Sequence, residues 1–414
     1  MLPEGRILVL EERVLAILGG SLDQVASIRE AKRLGLKTLV IDANEKCPGF
    51  KIADYKLSES TRNTDLILLK LRDFENLNRK IVGFFVQGTD IPQVGAILSK
   101  HFNIKSIDQE VAQISVDKFR MKEFLKANGI SVPKFIRVDN FNDFKSASAK
   151  LGFPFVLKPV DRSGARGVLR IVDSGQINLE NFALTFNESL SKRMIAEQYI
   201  PGPQFSTESI ILDGRAHTLI IAERNYEFIE KYSPYILENG GWSDNLLTLE
   251  QQKEIKELLQ VLVDKLGIDR GVIKGDLVLG EQGAAIIEFA LRTSGGDLSE
   301  SLIPLGTGLN YLSLAIRNTI NEEIHNSELV PRRQICVVNR YFFPSNGSIK
   351  LKLSDYHRPE YLKKLEFWVP DESQCQPPKS HSDRVGVFII TGGSRTEVHE
   401  RCGEVYRLFA PSYN

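Results

Sequence analysis

Cysteine is scarce in this chain, and its four copies (Cys47, Cys336, Cys375 and Cys402) include no C-x-x-C pair. So dispersed, they form neither a disulfide framework nor a zinc site, and a reducing cytoplasm is the expected setting. An excess of one charge is also missing, since 53 Lys and Arg balance 53 Asp and Glu. Without a basic stripe there is no electrostatic footprint for nucleic acid or for an anionic membrane. No run reaches the ~18 consecutive apolar residues of a membrane span. The opening MLPEGRILVLEERVLAILGG breaks its apolar residues with charge, unlike the apolar core of a signal peptide. The six histidines lack an HExxH-type spacing. What remains is a chain of 414 residues, 42% apolar and 26% charged, as expected of a soluble protein with two or three domains.

The first third reads as a βαβ unit. Val14 to Leu18 is an apolar strand ending at Gly19-Gly20, and Ser21 can cap a helix facing inward through Leu22, Val25, Ile28 or Ala31, and Leu34. Gly35 supplies the left-handed C-terminal residue, and a second strand, Leu39 to Ile41, ends at Asp42. The turn is GGSLDQ rather than G-x-G-x-x-G, which argues against a nicotinamide site. A third strand, Ile81 to Val86, ends at Gln87-Gly88-Thr89-Asp90. Ligands gather at such strand ends in open α/β sheets. Asp42 and Asp90 therefore face a substrate or cap helices.

Ser115 to Asn128 predicts a helix, capped by Ser115 and apolar through Phe119, Met121, Phe124 and Leu125. Lys118 sits in its first turn, the unfavourable end of the helix dipole for a cation, so a solvated lysine competes with an anion ligand. Leu151 to Lys158 reads as a strand delivering a lysine to the small-residue loop Ser163-Gly164-Ala165-Arg166-Gly167, whose N–H groups can wrap phosphate oxygens. No GK[ST] closes that loop, so it is not a Walker A motif. Short strands follow at Met194 to Ile200 and Ser206 to Leu212, then an amphipathic helix over Leu249 to Leu266 carrying Ile255, Leu258, Leu259, Leu262 and Leu266. In the segment Tyr226 to Asn245, Tyr232, Tyr235 and Trp242 line a pocket or, more ordinarily, pack in the core.

Gly271 to Gly296, GVIKGDLVLGEQGAAIIEFALRTSGG, reads as a β-hairpin with one acid on each strand, Asp276 and Glu288. A three- or five-residue loop centred on Gln282 would set them opposite each other, roughly 5 Å apart. At an effective dielectric near 20 their repulsion is about 3 kcal/mol, which invites a cation between them. Oxygen-only ligands suit Mg²⁺. Arg292 follows on the same face, and Ser294-Gly295-Gly296 lets backbone approach a ligand closely. The competing reading is a solvated hairpin face.

In this order, the βαβ domain, DK…K with GISVP, FVLKPVDRSGARGV, EQYIPGPQFSTES and the paired-acid hairpin with R-x-SGG resemble the ATP-grasp superfamily, over nearly the whole chain. Biotin carboxylase, carbamoyl-phosphate synthetase and amino-acid ligases are similar in layout. The resemblance implies an α/β and α+β fold: a Rossmann-like domain over 1–112, a two-part ATP-grasp core over 113–325 (113–193 and 194–325), and a small α+β closing region over 326–414. It implies that ATP binds between the two parts of the core. Lys118 and Lys158 would contact phosphate, with Ser163, Gly164, Ala165, Arg166 and Gly167 closing over it. Glu197, Gln198, Tyr199 and Ile200 would form the adenine hinge, and Gln204 or Glu208 would lie near the ribose. Asp276 and Glu288 would hold Mg²⁺, with Mn²⁺ as a substitute, while Arg292 and Lys274 would serve the transferring group. The family commonly has E-x-N-x-R on the metal strand, whereas Ala290 here cannot ligate a metal, which puts a second ion in question. The implied activity is an amide-forming ligation of a small carboxylate and an amine through an acylphosphate, with no nucleic-acid or membrane partner. The rival readings are a carboxylase or synthetase using bicarbonate or a phosphoribosyl amine, and a weakened ATP-binding sensor. A homodimer is the commonest assembly for such an enzyme.

Overall fold

The computed structural model describes residues 11–75, 78–352 and 358–414. The first ten residues, on which the signal-peptide reading partly rests, lie outside them. Strands Glu12–Leu18, Lys37–Asp42, Tyr55–Ser58 and Arg79–Val86 form a parallel sheet in the order third, second, first, fourth. The first strand is buried along Val14 to Leu18, which is why it reads as an unbroken apolar run rather than an alternating one. Helix Leu22–Arg33 starts with a Ser21/Gln24 capping box, but its inward face differs from the expected one. Leu22 is exposed, whereas Gln24, Ser27, Ile28 and Ala31 are buried. Gln24 donates to the Gln87 carbonyl at 2.6 Å and the Ser27 hydroxyl donates to the Gln87 side chain, so polar bonds to a strand end set the helix's rotation.

A second, antiparallel sheet runs Phe135–Val138, Met194–Gln198, Phe155–Pro159, Leu169–Ile171. Its lysine strand starts at Phe155, because Leu151 ends helix Phe141–Leu151 and Gly152 breaks it at φ 75°. Helix Lys118–Ala127 is capped by Asp117, which accepts from the N–H groups of Phe119 and Arg120; Ser115 instead closes the preceding helix Gln109–Ile114. The buried face is Lys118, Met121, Lys122 and Leu125, so two lysines stand where phenylalanines were expected.

The third sheet is the largest. Its eight strands run Gly283–Ala290, Gly271–Gly280, Gln204–Leu212, Arg215–Arg224, Gly241–Trp242, Cys336–Phe342, Gly386–Gly392, Leu362–Phe367. Strands from beyond residue 326 therefore extend the sheet that contains the acidic hairpin. Helix Leu249–Leu266 covers it through Ile255, Leu259, Leu262, Val263 and Leu266, with Leu258 only half-buried. The N-terminal sheet docks onto the hairpin's exit by a parallel bridge between Gln87 and Thr293 and a Thr293 hydroxyl bond to the Val86 carbonyl at 3.3 Å. Among the described residues no helix is long and apolar enough to cross a membrane.

Candidate active site

The hairpin reaches the expected pairing by a different route. Strands Gly271–Gly280 and Gly283–Ala290 are joined by a two-residue turn, Glu281-Gln282, not by three or five residues. Regular pairing from that turn would set Asp276 opposite Ile287. Instead the register shifts between Asp276 and Leu277: Leu277 pairs with Ile286, and Asp276 pairs with Glu288. Ile287 is thus the extra residue of a β-bulge, which re-aims side chains locally. Consecutive Ile287 and Glu288 both line one cavity, while Ile286 and Phe289 on either side are buried in the core.

That cavity, of about 150 Å³, collects residues from distant parts of the chain. Lys118, Lys158 and Glu288 line it, with Glu197, Gln198, Tyr199 and Ile200 from the strand Met194–Gln198 and the turn after it, and Gln204 from the next strand. The Lys118 ammonium lies 3.0 Å from the Glu288 carboxylate and donates to the Arg162 carbonyl at 2.6 Å. Burial alone would lower the Lys118 pKa, but Glu288 and Asp90 outweigh it and raise it. Lys158 and the fully buried Lys122 share one oxygen of Glu197, at 2.9 and 3.4 Å. Lys122 also donates to the Ile286 carbonyl at 3.1 Å, beside the bulge. Burial pulls Lys122 down to about 8 despite Glu197, while the lysines hold Glu197 below the usual carboxylate range against its own burial. The second oxygen of Glu197 is buried without a partner. In the glycine loop, Gly164, Ala165 and Gly167 adopt φ of 66°, 59° and 68°. Ala165 lines the cavity, whereas Arg166 folds back to donate to the Ser163 carbonyl at 3.0 Å.

Asp276 does not line this cavity. It accepts from Ser206 and Lys274, each at 2.6 Å, with Arg224 at 3.5 Å. Burial would raise its pKa, but Lys274 and Arg224 hold it far below the ordinary value. The repulsion between the opposed acids is therefore met by Lys118, Lys274 and Arg224, and the register alone does not demand a metal. Lys274 and Arg224 also line a second cavity of about 100 Å³, together with Glu223, Glu238, Asp297 and the Ser294-Gly295 turn. Arg292 lies past the strand's end, where Asp90 binds it at 3.0 and 2.6 Å. Burial raises the Asp90 pKa, yet Arg292 and Lys118 bring it down to about 2. Asp90 is thus an arginine anchor, and Asp42 shapes its turn by accepting from the N–H groups of Gly20 and Asn44 at 2.7 Å.

Between the ribose alternatives the geometry separates the two residues. Gln204 lines the cavity, while Glu208 lies four residues along the same strand, about 13 Å away at the usual rise. It is fully buried and accepts from the Ser294 N–H at 2.8 Å and the Tyr311 hydroxyl at 2.5 Å, so it braces the SGG turn rather than lining the cavity.

The ATP-grasp domain family matches residues 115–296, the stretch that holds both lysines, the glycine loop and the acidic hairpin. The chain carries an ATP-grasp domain. A D-alanine–D-alanine ligase of Azoarcus sp. (strain BH72) is 28% identical over 213 residues, covering 49% of this chain and 66% of that protein, so the match spans just under two thirds of its length. The D-alanine–D-alanine ligase of Neisseria meningitidis serogroup B is 24% identical over 272 residues, covering 62% of this chain and 83% of that protein. Among solved structures, an L-amino acid ligase from Bacillus licheniformis superposes with a TM-score of 0.80 at 20% identity, covering 98% of this chain and 99% of that one. Phosphoribosylglycinamide synthetase from Anaerococcus prevotii gives 0.72 at 18%, covering 97% and 100%. These likenesses establish the mixed α/β ATP-grasp fold.

Within the ATP-grasp domain, Asp276 and Glu288 present two opposed carboxylates. Among the described residues no group of three or more His, Cys, Asp or Glu gathers as a metal cluster. Two carboxylates fit a magnesium ion that takes its remaining ligands from water and phosphate, and they do not fit an all-protein cage. Sequence reasoning missed Lys122, Tyr226, Ile287 and His381. The second lysine of DK…K was a usable signal for Lys122. His381, from beyond the expected core, has no local signature: its N–H donates to the Gly164 carbonyl at 3.0 Å, and it lines the cavity. Burial and the nearby Arg384 and Arg224 keep its imidazole neutral by lowering its pKa well below the usual value. Trp242 packs against Arg340 and Arg395, and Tyr232 packs on Phe228 and Phe343, so these aromatics pack while Tyr226 lines the cavity.

Proposed function

We propose that this chain is an ATP-dependent carboxylate–amine ligase that forms an amide through an acylphosphate and releases ADP and phosphate. The observation that carries the reading is the placement of two cavities against one hairpin: Glu288 and both lysines line the first, and the Asp276 partners Lys274 and Arg224 line the second. In the first, Lys118 and Lys158 would hold phosphates, the 163–167 loop would cover them, and Gln204 would meet the ribose. The unpartnered Glu197 oxygen is suited to an exocyclic amine of the base. Asp276 and Glu288 would hold Mg²⁺, or Mn²⁺ in its place, which when bound neutralises phosphate charge.

The second cavity carries both signs, with Arg224 and Lys274 against Glu223, Glu238 and Asp297, and its small volume suits a zwitterion of amino-acid size. The substrate carboxylate attacks the γ-phosphorus, breaking its bond to the β-phosphate oxygen and forming the acylphosphate. The amine then attacks the acyl carbon, phosphate leaves, and the amine proton passes to solvent or a nearby base. Arg292, oriented by Asp90, would steady the transferring group, and Lys274 would orient the carboxylate. Closure by the glycine loop and His381 keeps water from the acylphosphate. The division into 1–112, 113–325 and 326–414, a cytoplasmic setting and a homodimer belong to the same proposal. The test is ADP and phosphate release from Mg-ATP across pooled amino acids and small carboxylates with pooled amines. Release requiring both an acid and an amine supports the ligase; release on bicarbonate alone moves the assignment to a carboxylase.

A further inference from the structure

We propose that the cleft between helix Leu22–Arg33 and the segment around Gly308 is a second anion site, which takes a phosphate-bearing small molecule and is separate from the cavity lined by Lys118 and Lys158. The cleft is open to solvent and spans about 750 Å³, room for a small molecule. Arg29 and Arg33 line it from the helix, and Arg332 and Arg333 line it from the opposite wall. Two acids also line it, but their charge is committed elsewhere. Glu30 holds Arg33 at 2.6 Å and accepts from Asn310 at 3.0 Å, and Glu300 holds Lys364 at 3.2 Å.

The remaining guanidinium charge is uncompensated. Among the described residues, the Arg29 and Arg332 side chains have no hydrogen-bond or ion-pair partner. Among the same residues, the Arg333 side chain reaches only a neutral carbonyl, that of Pro304, at 2.8 Å. The wall is also built rather than loose: the N–H groups of Arg332 and Arg333 both donate to the Thr307 carbonyl, at 2.8 and 3.2 Å. Gly308, at φ 76°, lets both arginines close in, since a Cβ there would sit 3.3 Å from Arg332 and 3.5 Å from Arg333. Three unneutralised guanidiniums facing one cleft exceed what a single carboxylate balances. Their planar forks match the several oxygens of a phosphate or pyrophosphate group. The floor, with Leu309 and Leu312 buried, adds apolar contact for the body of such a ligand.

The site is tested with inorganic pyrophosphate, titrated calorimetrically into the full chain without nucleotide at low salt. Three proteins are compared: the unmodified chain, an Arg29→Ala/Arg332→Ala double variant, and Lys158→Ala in the cavity that holds Glu288. Both arginines are exposed, so the double variant is expected to keep its circular dichroism and unfolding midpoint. The expected result is a pyrophosphate site that is weakened tenfold or more in the double variant and kept in Lys158→Ala, apart from any second site that Lys158→Ala alone removes. Absence of binding, equal binding by the double variant, or loss of all binding on Lys158→Ala overturns the proposal. Because the readout is binding without turnover, failure of the ligase reading leaves it intact.

Discussion

Replacing Lys122 by Met separates a residue kept for stability from one kept for the site. The lysine is completely buried, and its pKa falls from 10.5 to about 8. A downward shift of this size means that folding disfavours the charged form by about 3 kcal/mol. Met fills a similar volume and relieves that penalty. It forfeits the charge-assisted bond to the Ile286 carbonyl, worth about 1–3 kcal/mol. The two nearly cancel, so Lys122→Met should change unfolding free energy by no more than about 2 kcal/mol. Function should suffer more, because Glu197 is left with Lys158 alone and the bulge loses its tether. The expected signature is a raised KM for ATP and a lowered kcat with an almost unchanged urea midpoint. The sign of the pH effect follows from the shift. Between about pH 8 and 10.5 the unfolded chain binds the proton and the folded chain does not, so this group makes stability rise with pH across that window. The Met variant should lack that rise. A loss above about 3 kcal/mol, or unchanged KM and kcat, would refute the reasoning.

Glu288→Gln should lower turnover by about 10²-fold while leaving nucleotide affinity nearly intact; equal losses in both, measured by steady-state kinetics and calorimetry, would make Glu288 merely structural. Asp90→Asn removes the charge opposite Arg292 and should cost about 3 kcal/mol in urea unfolding. In the unmodified protein the Asp90 contribution is present above about pH 4 and is lost as pH falls towards about 2, so the two proteins should converge in acid. Burial raises Glu300 from 4.5 to about 7, with Asp297 adding to it and Lys364 opposing. Its folded carboxyl binds a proton that the unfolded one has lost, so stability falls as pH rises from about 4.5 to 7, and Glu300→Gln should flatten that slope.

Local chemistry was legible wherever it repeats along the chain. The βαβ unit and the lysine strand follow from periodicity and turn residues, whereas the opposition of Asp276 to Glu288, expected from a longer loop, is reached through a register shift. The details failed where long-range contacts decide them. Nothing in GEQG announces the bulge at Ile287, which arises because Ile286 and Phe289 must both enter the core while Glu288 stays at the cavity. Leu22 lost the inward face of its helix to Gln24 and Ser27 because Gln87, some 60 residues on, offered them hydrogen bonds. The partnership of Asp90 with Arg292 and the arrival of His381 beside Gly164 join parts of the chain about 200 residues apart.

The most direct test of the central claim is isotope transfer. With an acid and amine pair that supports ADP release, the acid's carboxylate is labelled with oxygen-18 and the released phosphate is analysed by mass. An acylphosphate route predicts one labelled oxygen in each phosphate, with none transferred when the amine is supplied alone. Unlabelled phosphate formed alongside amide would contradict the account.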